Sequence, residues 1–363
     1  MKGILIHFKK LDWGILGIVF LLSGIGLLLI YSSSLGRGDF LNFKKQIIFL
    51  GIGFFLMIIL SFFDWRVLRD DPYLILLFYF FCLLSLGGLF FFAPEIRGIK
   101  GWYKLGPVSI DPIEFTKIIL IILLAKYFST RHIEMYRTRH ILISGLYVLL
   151  PAVLIFFQPD MGSILILIAL WLGMLLVSGI RVRLFLILLL IFILFFVLCW
   201  LFLLKDYQKE RILNFIMPQI EPLGGAWSQN QAKIAIGSGG IFGQGFGRGS
   251  QTQYGFLPEP QTDFIFAALS EEFGLVGVGT ILLLFFILFW RIIKIAFTTT
   301  SNFSRLFATG FAILIFSQIF INIGMNLGIL PIIGIPLPLI SYGGSSLITI
   351  YIGLGIIQSI KTH

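Results

Sequence analysis

The chain has 363 residues, of which 58% are hydrophobic and only 12% are charged, and its mean hydropathy is +1.01. A soluble domain is about half apolar and about a quarter charged, so this composition excludes a water-soluble protein and places the chain in a lipid bilayer. The formal net charge of +10 comes from short basic blocks between apolar runs, which is typical of cytoplasmic loops. We therefore predict no nucleic-acid partner.

Ten apolar segments follow one another, each near the roughly 20 residues that a membrane-spanning helix needs. They predict an all-α polytopic membrane protein that forms a single membrane domain over residues 1–363, with about ten transmembrane helices. The predicted helices cover residues 13–31, 46–63, 73–92, 113–128, 141–157, 161–179, 184–204, 264–290, 306–327 and 341–360.

The basic residues between these segments predict the orientation. With the N-terminus in the cytoplasm, short inner connections carry Arg66 and Arg69, and then Arg181 and Arg183. Five of the basic residues on the opposite side lie in one long loop, and long loops count for less in the positive-inside rule. We predict that both termini are cytoplasmic (N-in, C-in).

A long outer loop covers about residues 205–262, between the seventh and eighth predicted helices. It has eight glycines between positions 237 and 255, with Phe242, Phe246 and Tyr254 among them. Long loops in compact domains are usually functional, and glycine permits close backbone approach to a ligand. We expect an ordered extracytoplasmic loop rather than a flexible tether.

Ionisable side chains in membrane segments mark functional sites by default. In "IDPIEFTKIILIILL", Glu114 and Lys117 can pair across three residues of the fourth helix, and a structural pair and a functional pair both stay open. Asp111 ahead of Pro112 predicts a helix-start cap. Asp160 in "FFQPDMGS" is interpreted first as the cap of the sixth helix, at an outward-facing start that attracts anions.

The stretch "LPEPQTDFIFAALSEE", residues 257–272, carries four carboxylates. Its two prolines exclude a regular helix in its first residues, so the eighth helix begins at Thr262 or Asp263. There Asp263 is either a plain N-cap or a group that acts directly. At about 100° per residue, Glu272 points nearly opposite to Asp263 and Glu271 is offset by roughly 80°. This helix alone therefore provides no pair of carboxylates, and we expect both glutamates to be buried against other elements.

The segment "NIGMNLGILPIIGIPLPLISYGGSSLITI" is too rich in Pro and Gly for one straight helix. Irregular backbone at membrane depth survives only when it is buried in protein or lines a wet cavity, and transporters use it in this way. A transporter and a membrane enzyme both remain open. The four histidines lie in terminal or cytoplasmic segments, so we predict no His base and no zinc site.

Three motifs, "QPDMGS", "GSGGIFGQGFGRGSQTQYGFLPEPQTDFIFAALSEEFG" and "GIPLPLISYGGSS", resemble those of the SEDS family (shape, elongation, division and sporulation) of bacterial cell-wall polymerases. The sequence is more similar to the elongation member than to the division member. The resemblance implies a multi-pass peptidoglycan glycosyltransferase that polymerises lipid II, an undecaprenyl-diphosphate-linked disaccharide peptide, at the outer face of the bacterial cytoplasmic (inner) membrane. It also implies a class B penicillin-binding protein, the cross-linking transpeptidase, as partner.

The resemblance implies roles for individual residues. The family's essential Asp in "TDFIFA" falls on Asp263, which implies a general base in an inverting transfer. The family's Glu and Lys at the start of the fourth helix fall on Glu114 and Lys117, and its "QPD" Asp falls on Asp160. Basic residues on the outer side are candidates to bind the diphosphate. The predicted substrate-binding residues are Glu114, Lys117, Asp160, Lys233, Arg248 and Glu259.

The sequence departs from the family's usual motifs at two positions. Relatives often read "QPSE" where this chain reads "DPIE", so that Ile113 replaces a small polar residue. Many relatives carry His directly before "TD", where this chain has Gln261, and we expect Gln261 only to shape the loop.

A lone Asp is a poor metal ligand set, so we predict no metal site formed by side chains alone. A divalent cation, Mg or Mn, is expected only in association with the substrate diphosphate. Two other functions stay open: a flippase for the lipid-linked precursor, suggested by the broken helices, and a non-catalytic scaffold for the transpeptidase.

Overall fold

The computed structural model describes residues 2–94, 101–106, 108–131, 138–202, 209, 213, 215, 217 and 227–363. The elements in chain order are α1 (Lys2–Lys10), α2 (Trp13–Arg37), α3 (Leu41–Phe62), α4 (Arg66–Asp70), α5 (Pro72–Phe92), β1 (Tyr103–Leu105), β2 (Val108–Ile110), α6 (Pro112–Arg131), α7 (Thr138–Phe156), α8 (Met161–Val177), α9 (Val182–Phe202), α10 (Trp227–Ser238), α11 (Ser250–Gln253), α12 (Ile265–Thr298), α13 (Asn302–Leu327) and α14 (Gly344–Thr362).

Each of the ten predicted segments overlaps one long helix, so the helical fold class is confirmed. Among the described residues, seven helices are long and apolar enough to cross a membrane. These are α2, α3, α5, α7, α12, α13 and α14. The apolar helix α8 is shorter, and α6 carries Glu114, Lys117 and Lys126 along its length. The exact number of spans and the N-in, C-in orientation stay predictions.

The centre of the bundle is formed by α6, α13 and α14. Helix α13 packs against α6, α8 and α12, and α14 packs mainly against α3. Phe307 and Phe311 of α13 are completely buried. The outer helices instead expose large apolar side chains, such as Phe55 of α3 at 63% and Leu84 of α5 at 75%. An exposed apolar surface of this extent is not stable in water, so these faces contact lipid.

A short hairpin, which the sequence did not predict, forms the only β-sheet among the described residues. Strands β1 and β2 pair antiparallel, with Tyr103 opposite Ile110, and Gly106 adopts φ 62° between them. The hydroxyl of Tyr103 donates a hydrogen bond to the carbonyl oxygen of Ser85 at 2.6 Å. The hairpin is thereby fixed against α5, next to the start of α6.

The second half of the predicted 205–262 loop is ordered. Residues 227–262 contain helices α10 and α11, so the flexible-tether alternative is wrong for this part. The remainder of the predicted loop, apart from residues 209, 213, 215 and 217, lies outside the described residues.

Helix α12 is interrupted at Gly274, where φ is 62° and ψ is −159°. The break leaves backbone groups without partners in the helix, and the glycine-rich loop binds them. Four backbone hydrogen bonds of 2.9 to 3.1 Å run from Gln244 to Glu271, from Gly245 to Glu272, from Leu275 to Gly240 and from Val276 to Ile241. Loop and broken helix therefore complete each other's hydrogen bonding.

Close approach to the backbone of α12 requires glycine at two positions of this loop. A Cβ at Gly239 would overlap the carbonyl oxygen of Ser270, and one at Gly243 would overlap that of Glu272. Side chains reinforce the contact: Glu271 accepts hydrogen bonds from the N–H groups of Gln251 at 2.7 Å and Thr252 at 3.0 Å.

The two glutamates of α12 are buried, as predicted. Glu271 is 0% and Glu272 is 1% exposed. Glu272 accepts hydrogen bonds from the side chains of Ser32 and Gln253. Both carboxylates therefore hold the glycine-rich loop and α2 against α12.

Candidate active site

A cavity of about 410 Å³ lies at the starts of five helices of the bundle. These are the starts of α3, α6, α8, α12 and α14, and the predicted topology places all five on the outer side. The lining residues are Lys45, Phe49, Trp102, Ser109, Asp111, Glu114, Asp160, Ser163, Thr262, Asp263, Gly334, Ile335, Pro336, Tyr342, Gly343, Gly344, Ser345 and Ser346.

Asp263 lines this cavity and is half-buried. Helix α12 begins at Ile265 and its N-cap position is Phe264, so the alternative in which Asp263 is the N-cap is wrong. The backbone carbonyl of Asp263 accepts hydrogen bonds from the side-chain amides of Asn322 and Asn326, both at 3.0 Å. Because both asparagines are completely buried in α13, the backbone that carries the carboxylate is held firmly.

The irregular segment between α13 and α14 passes next to Asp263. The Ser341 hydroxyl donates to the carbonyl oxygen of Thr262 at 2.7 Å. Gly334 has φ 73°, and a Cβ there would lie 3.7 Å from Oδ2 of Asp263. Of the two environments expected for this irregular backbone, burial in protein or the lining of a cavity, the lining residues between 334 and 346 show the second.

Asp160 combines two roles. Its Oδ1 accepts a hydrogen bond from the N–H of Ser163 at 3.0 Å, and its Oδ2 accepts one from the Ser163 hydroxyl at 2.7 Å. The predicted cap of α8 is therefore confirmed. Asp160 also lines the cavity together with Asp263, so the capped helix start faces the site.

Glu114 and Lys117 form the predicted ion pair. Nζ of Lys117 lies 2.7 Å from Oε1 of Glu114. Glu114 lines the cavity at 6% exposure, whereas Lys117 is 0% exposed and lies outside the lining. The structure thus places the carboxylate at the cavity wall and the ammonium in the protein behind it.

Asp111 adds a further carboxyl group to the wall. It accepts a hydrogen bond from the N–H of Ile113 at 2.9 Å, and its own N–H donates to the Ser345 hydroxyl at 2.9 Å. Removal from bulk water, with a smaller contribution from the charge of Glu114, raises the pKa of Asp111 to about 8. This carboxyl is therefore mainly neutral at pH 7.

Besides Lys117, three further predicted substrate-binding residues do not line the cavity. Lys233 lies on α10 with its side chain against Gly328. Arg248 is exposed in the glycine-rich loop. Glu259, at φ 43°, provides a backbone carbonyl to the N–H of Thr262 at 3.2 Å. All three residues belong to the predicted outer loop, but a position in this loop does not by itself bring a side chain to the cavity.

Sequence reasoning missed several lining residues, among them Lys45, Trp102, Tyr342 and Ser345. Tyr342 and Ser345 belong to the quoted motif "GIPLPLISYGGSS", and Trp102 to an aromatic, glycine-rich connection, which were usable signals. Lys45 is one of two adjacent lysines, and nothing in the sequence distinguishes it from Lys44.

The two departures from the family motifs are both buried. The side chain of Gln261 donates to the Ser34 hydroxyl at 3.2 Å and accepts from Asn42 at 2.7 Å. The backbone carbonyl oxygen of Gln261 accepts a hydrogen bond from the N–H of Tyr342 at 2.7 Å. Gln261 does not line the cavity. Ile113 is 1% exposed. These contacts agree with a role for Gln261 in shaping the loop.

A family model and curated relatives match most of the chain. The family model described as "Cell cycle protein" (FtsW, RodA and SpoVE) matches residues 12–363. The peptidoglycan glycosyltransferase MrdB of Escherichia coli K12 is 36% identical over 341 residues, which cover 93% of this chain and 91% of MrdB.

Solved structures of similar proteins superpose on nearly the whole chain. A chain in the structure described as "Structural coordination of polymerization and crosslinking by a peptidoglycan synthase complex" superposes with a TM-score of 0.82 at 30% identity and covers 97% of both chains. The rod-shape-determining protein RodA of Thermus thermophilus gives 0.72 at 28% identity, covering 97% of this chain and 96% of RodA. The chain therefore belongs to the FtsW, RodA and SpoVE family, which is the SEDS family, and is similar to RodA.

Proposed function

We propose that this protein is a peptidoglycan glycosyltransferase of the cytoplasmic membrane, which polymerises lipid II at the outer face during cell elongation. The observation that carries the proposal is the cavity that Asp263 lines together with Glu114 and Asp160, in a family whose relative MrdB is named a peptidoglycan glycosyltransferase. A half-buried carboxylate on rigid backbone beside a cavity is suited to general-base catalysis.

In the proposed reaction, Asp263 takes the proton of an acceptor sugar hydroxyl while the oxygen of that hydroxyl attacks the anomeric carbon of the donor. The bond from that carbon to the diphosphate oxygen breaks, and its electron pair leaves with the lipid-linked diphosphate. The transition state has oxocarbenium character, as in other glycosyl transfers. A single displacement converts the α-linked donor into a β-linked product, so one carboxylate is sufficient.

The negative charge of the leaving diphosphate requires cations or helix N-termini nearby. Among the described residues, no group of three or more His, Cys, Asp or Glu side chains is arranged to hold a metal ion. A divalent cation, Mg or Mn, would therefore take part of its oxygen ligands from the diphosphate, since both ions prefer oxygen ligands.

A class B penicillin-binding protein is the proposed partner. The support is the structural neighbour, which comes from a complex that coordinates polymerisation and cross-linking. The exposed apolar helix faces of this chain provide a surface for a membrane-embedded partner helix.

The test uses the purified protein in detergent with lipid II, alone and with its transpeptidase partner, and reads glycan strands on a gel. The polymerase proposal predicts strands from wild type and none from Asp263→Ala. The matched control is Asp39→Asn, because Asp39 is an exposed carboxylate of the predicted outer side that accepts a hydrogen bond from the N–H of Leu41, which Asn can also do.

The same assay separates the alternatives. Detergent micelles have no two sides, so a flippase produces no strands in this assay. Absence of strands in every preparation, with the partner present, would overturn the polymerase proposal in favour of the flippase or the scaffold. Strands from Asp263→Ala in wild-type amounts would contradict the assignment of the base.

A further inference from the structure

A basic side chain that reaches the cavity would stabilise the diphosphate of the substrate, and the three predicted basic residues do not line the cavity. Lys117 is buried in an ion pair with Glu114, Lys233 packs against Gly328, and Arg248 lies in an exposed loop. Among the described residues that line the cavity, Lys45 is the only Lys or Arg.

The position of Lys45 is fixed by its neighbours on α3. Phe49, one turn further along the same face, packs so closely on Gly344 that a Cβ there would lie 2.7 Å from its ring. The side chain of Gln46 donates to the carbonyl oxygen of Ser341 at 3.2 Å and accepts from the N–H of Gly343 at 3.4 Å. These contacts hold the start of α3 against the irregular segment between α13 and α14, which passes next to Asp263.

Lys45 is also available for a ligand. It is half-buried and forms no ion pair or hydrogen bond with any residue in the described part of the chain. The carboxylates around it have other partners: Glu114 pairs with Lys117, and Asp160 caps α8. An ammonium group that faces a cavity without a protein partner is ready to bind an anion.

We propose that Lys45 binds the diphosphate of the lipid-linked substrate and, in the transfer step, stabilises the charge on the leaving diphosphate. This assignment rests on the proposed function and replaces Lys117, Lys233 and Arg248 as the direct ligand. A lysine ammonium has three donors and acts as a compact point charge toward phosphate. Lys45 therefore affects binding of any lipid diphosphate, whether or not a sugar is attached.

The test measures binding of undecaprenyl diphosphate, undecaprenyl monophosphate and inorganic diphosphate to the full-length protein in detergent. We expect Lys45→Gln to weaken binding of undecaprenyl diphosphate by about tenfold to a hundredfold, which is the range for loss of a charge-assisted hydrogen bond. Lys45→Arg should stay within about threefold of wild type, since it keeps the charge. A smaller effect on the monophosphate would indicate that both phosphates are bound.

Lys44→Gln is the matched control, because Lys44 is the neighbouring lysine, is exposed, and does not line the cavity. Thermal unfolding of each variant establishes that it is folded. Unchanged affinity in a folded Lys45→Gln, or an equal loss in Lys44→Gln, would overturn the proposal. If inorganic diphosphate alone is affected, Lys45 binds free anion and not the lipid.

Polymerisation assays keep the two proposals distinguishable. If wild type makes strands and Lys45→Gln needs about tenfold more lipid II for half its maximal rate, both proposals stand. If wild type makes strands and Lys45→Gln behaves as wild type, only the Lys45 assignment fails. If wild type makes no strands with its partner present, the proposed function fails, and the binding measurement still decides the assignment.

Discussion

Acidic side chains at this cavity are held by local partners that make their burial tolerable. Asp160 accepts hydrogen bonds at the start of α8, Asp111 does so at the start of α6, and Glu114 has the ammonium of Lys117. Burial of an ionised carboxylate without such partners would be strongly unfavourable. The residues near Asp263 therefore have structural roles that can be measured separately from activity.

Lys117→Met should destabilise the protein by about 3 to 5 kcal/mol, because it leaves the Glu114 carboxylate without its partner. The double variant Glu114→Gln/Lys117→Met should recover most of this loss. Thermal unfolding in detergent provides the measurement. The control is Asp70→Asn, which breaks an exposed Arg69–Asp70 pair and should leave the unfolding temperature unchanged. A double variant no more stable than Lys117→Met would contradict the pairing.

The raised pKa of Asp111 predicts a pH effect. Its carboxyl is neutral below about pH 8 and ionises as the pH rises through that value. The new negative charge adds to those of Glu114 and Asp160 and should repel the diphosphate, so the affinity of wild type for lipid II should fall above about pH 8. Asp111→Asn cannot ionise and should show a smaller fall. Equal falls in both proteins would contradict this role for Asp111.

At the scale of elements, the interrupted helix α12 and the glycine-rich loop form one unit. The break at Gly274 would leave carbonyl and N–H groups of the helix unpaired, and the loop supplies their partners. The carboxylates of Glu271 and Glu272 accept further hydrogen bonds from the α11 segment of the loop. Gly239, Gly243 and the two glutamates are therefore explained by one interaction.

Two neighbouring glycines of α10 and the loop test this interaction. Gly239→Ala should cost about 1 to 3 kcal/mol, because the new Cβ would overlap the carbonyl oxygen of Ser270. Gly237→Ala should be neutral or stabilising, since no atom lies within 4 Å of its Cβ position and alanine favours a helix over glycine. Thermal unfolding compares the two, and equal stabilities would contradict the close approach.

Elements whose pattern is local were predictable from the sequence, and contacts between distant elements were not. The apolar runs located the long helices, and the short-range pattern around Asp160 gave its cap. The β1–β2 hairpin was missed because its segment is short and its support comes from Ser85 of α5. Lys233 and Arg248 were misplaced because being on the outer side does not bring a residue to the cavity.

At the scale of the whole molecule, the cavity follows from the alternation of the helices. Every second connection contributes to the lining, from the start of α3 to the start of α14. Charges, glycines and broken backbone thus collect at one end of the bundle, while apolar faces cover its outside. The family resemblance supplied the chemistry of this end, which residue patterns alone left open between transport and catalysis.

Cysteine labelling on intact cells tests the predicted orientation. In a background with Cys82→Ser and Cys199→Ser, an impermeant maleimide should label Tyr254→Cys, because Tyr254 is 78% exposed in the predicted outer loop. It should label Lys361→Cys, which is also at an exposed position, only after the membrane is opened. Labelling of Lys361→Cys on intact cells would contradict the N-in, C-in orientation.

The most direct test of the central claim is a comparison of Asp263→Asn with Asp39→Asn in lipid II polymerisation and in binding of undecaprenyl diphosphate. Removal of a general base should reduce the rate of the transfer step by at least about a hundredfold. Binding should stay within about threefold of wild type, because the base acts on the acceptor hydroxyl. Asp39→Asn should match wild type in both. Wild-type polymerisation rates from Asp263→Asn would contradict the account.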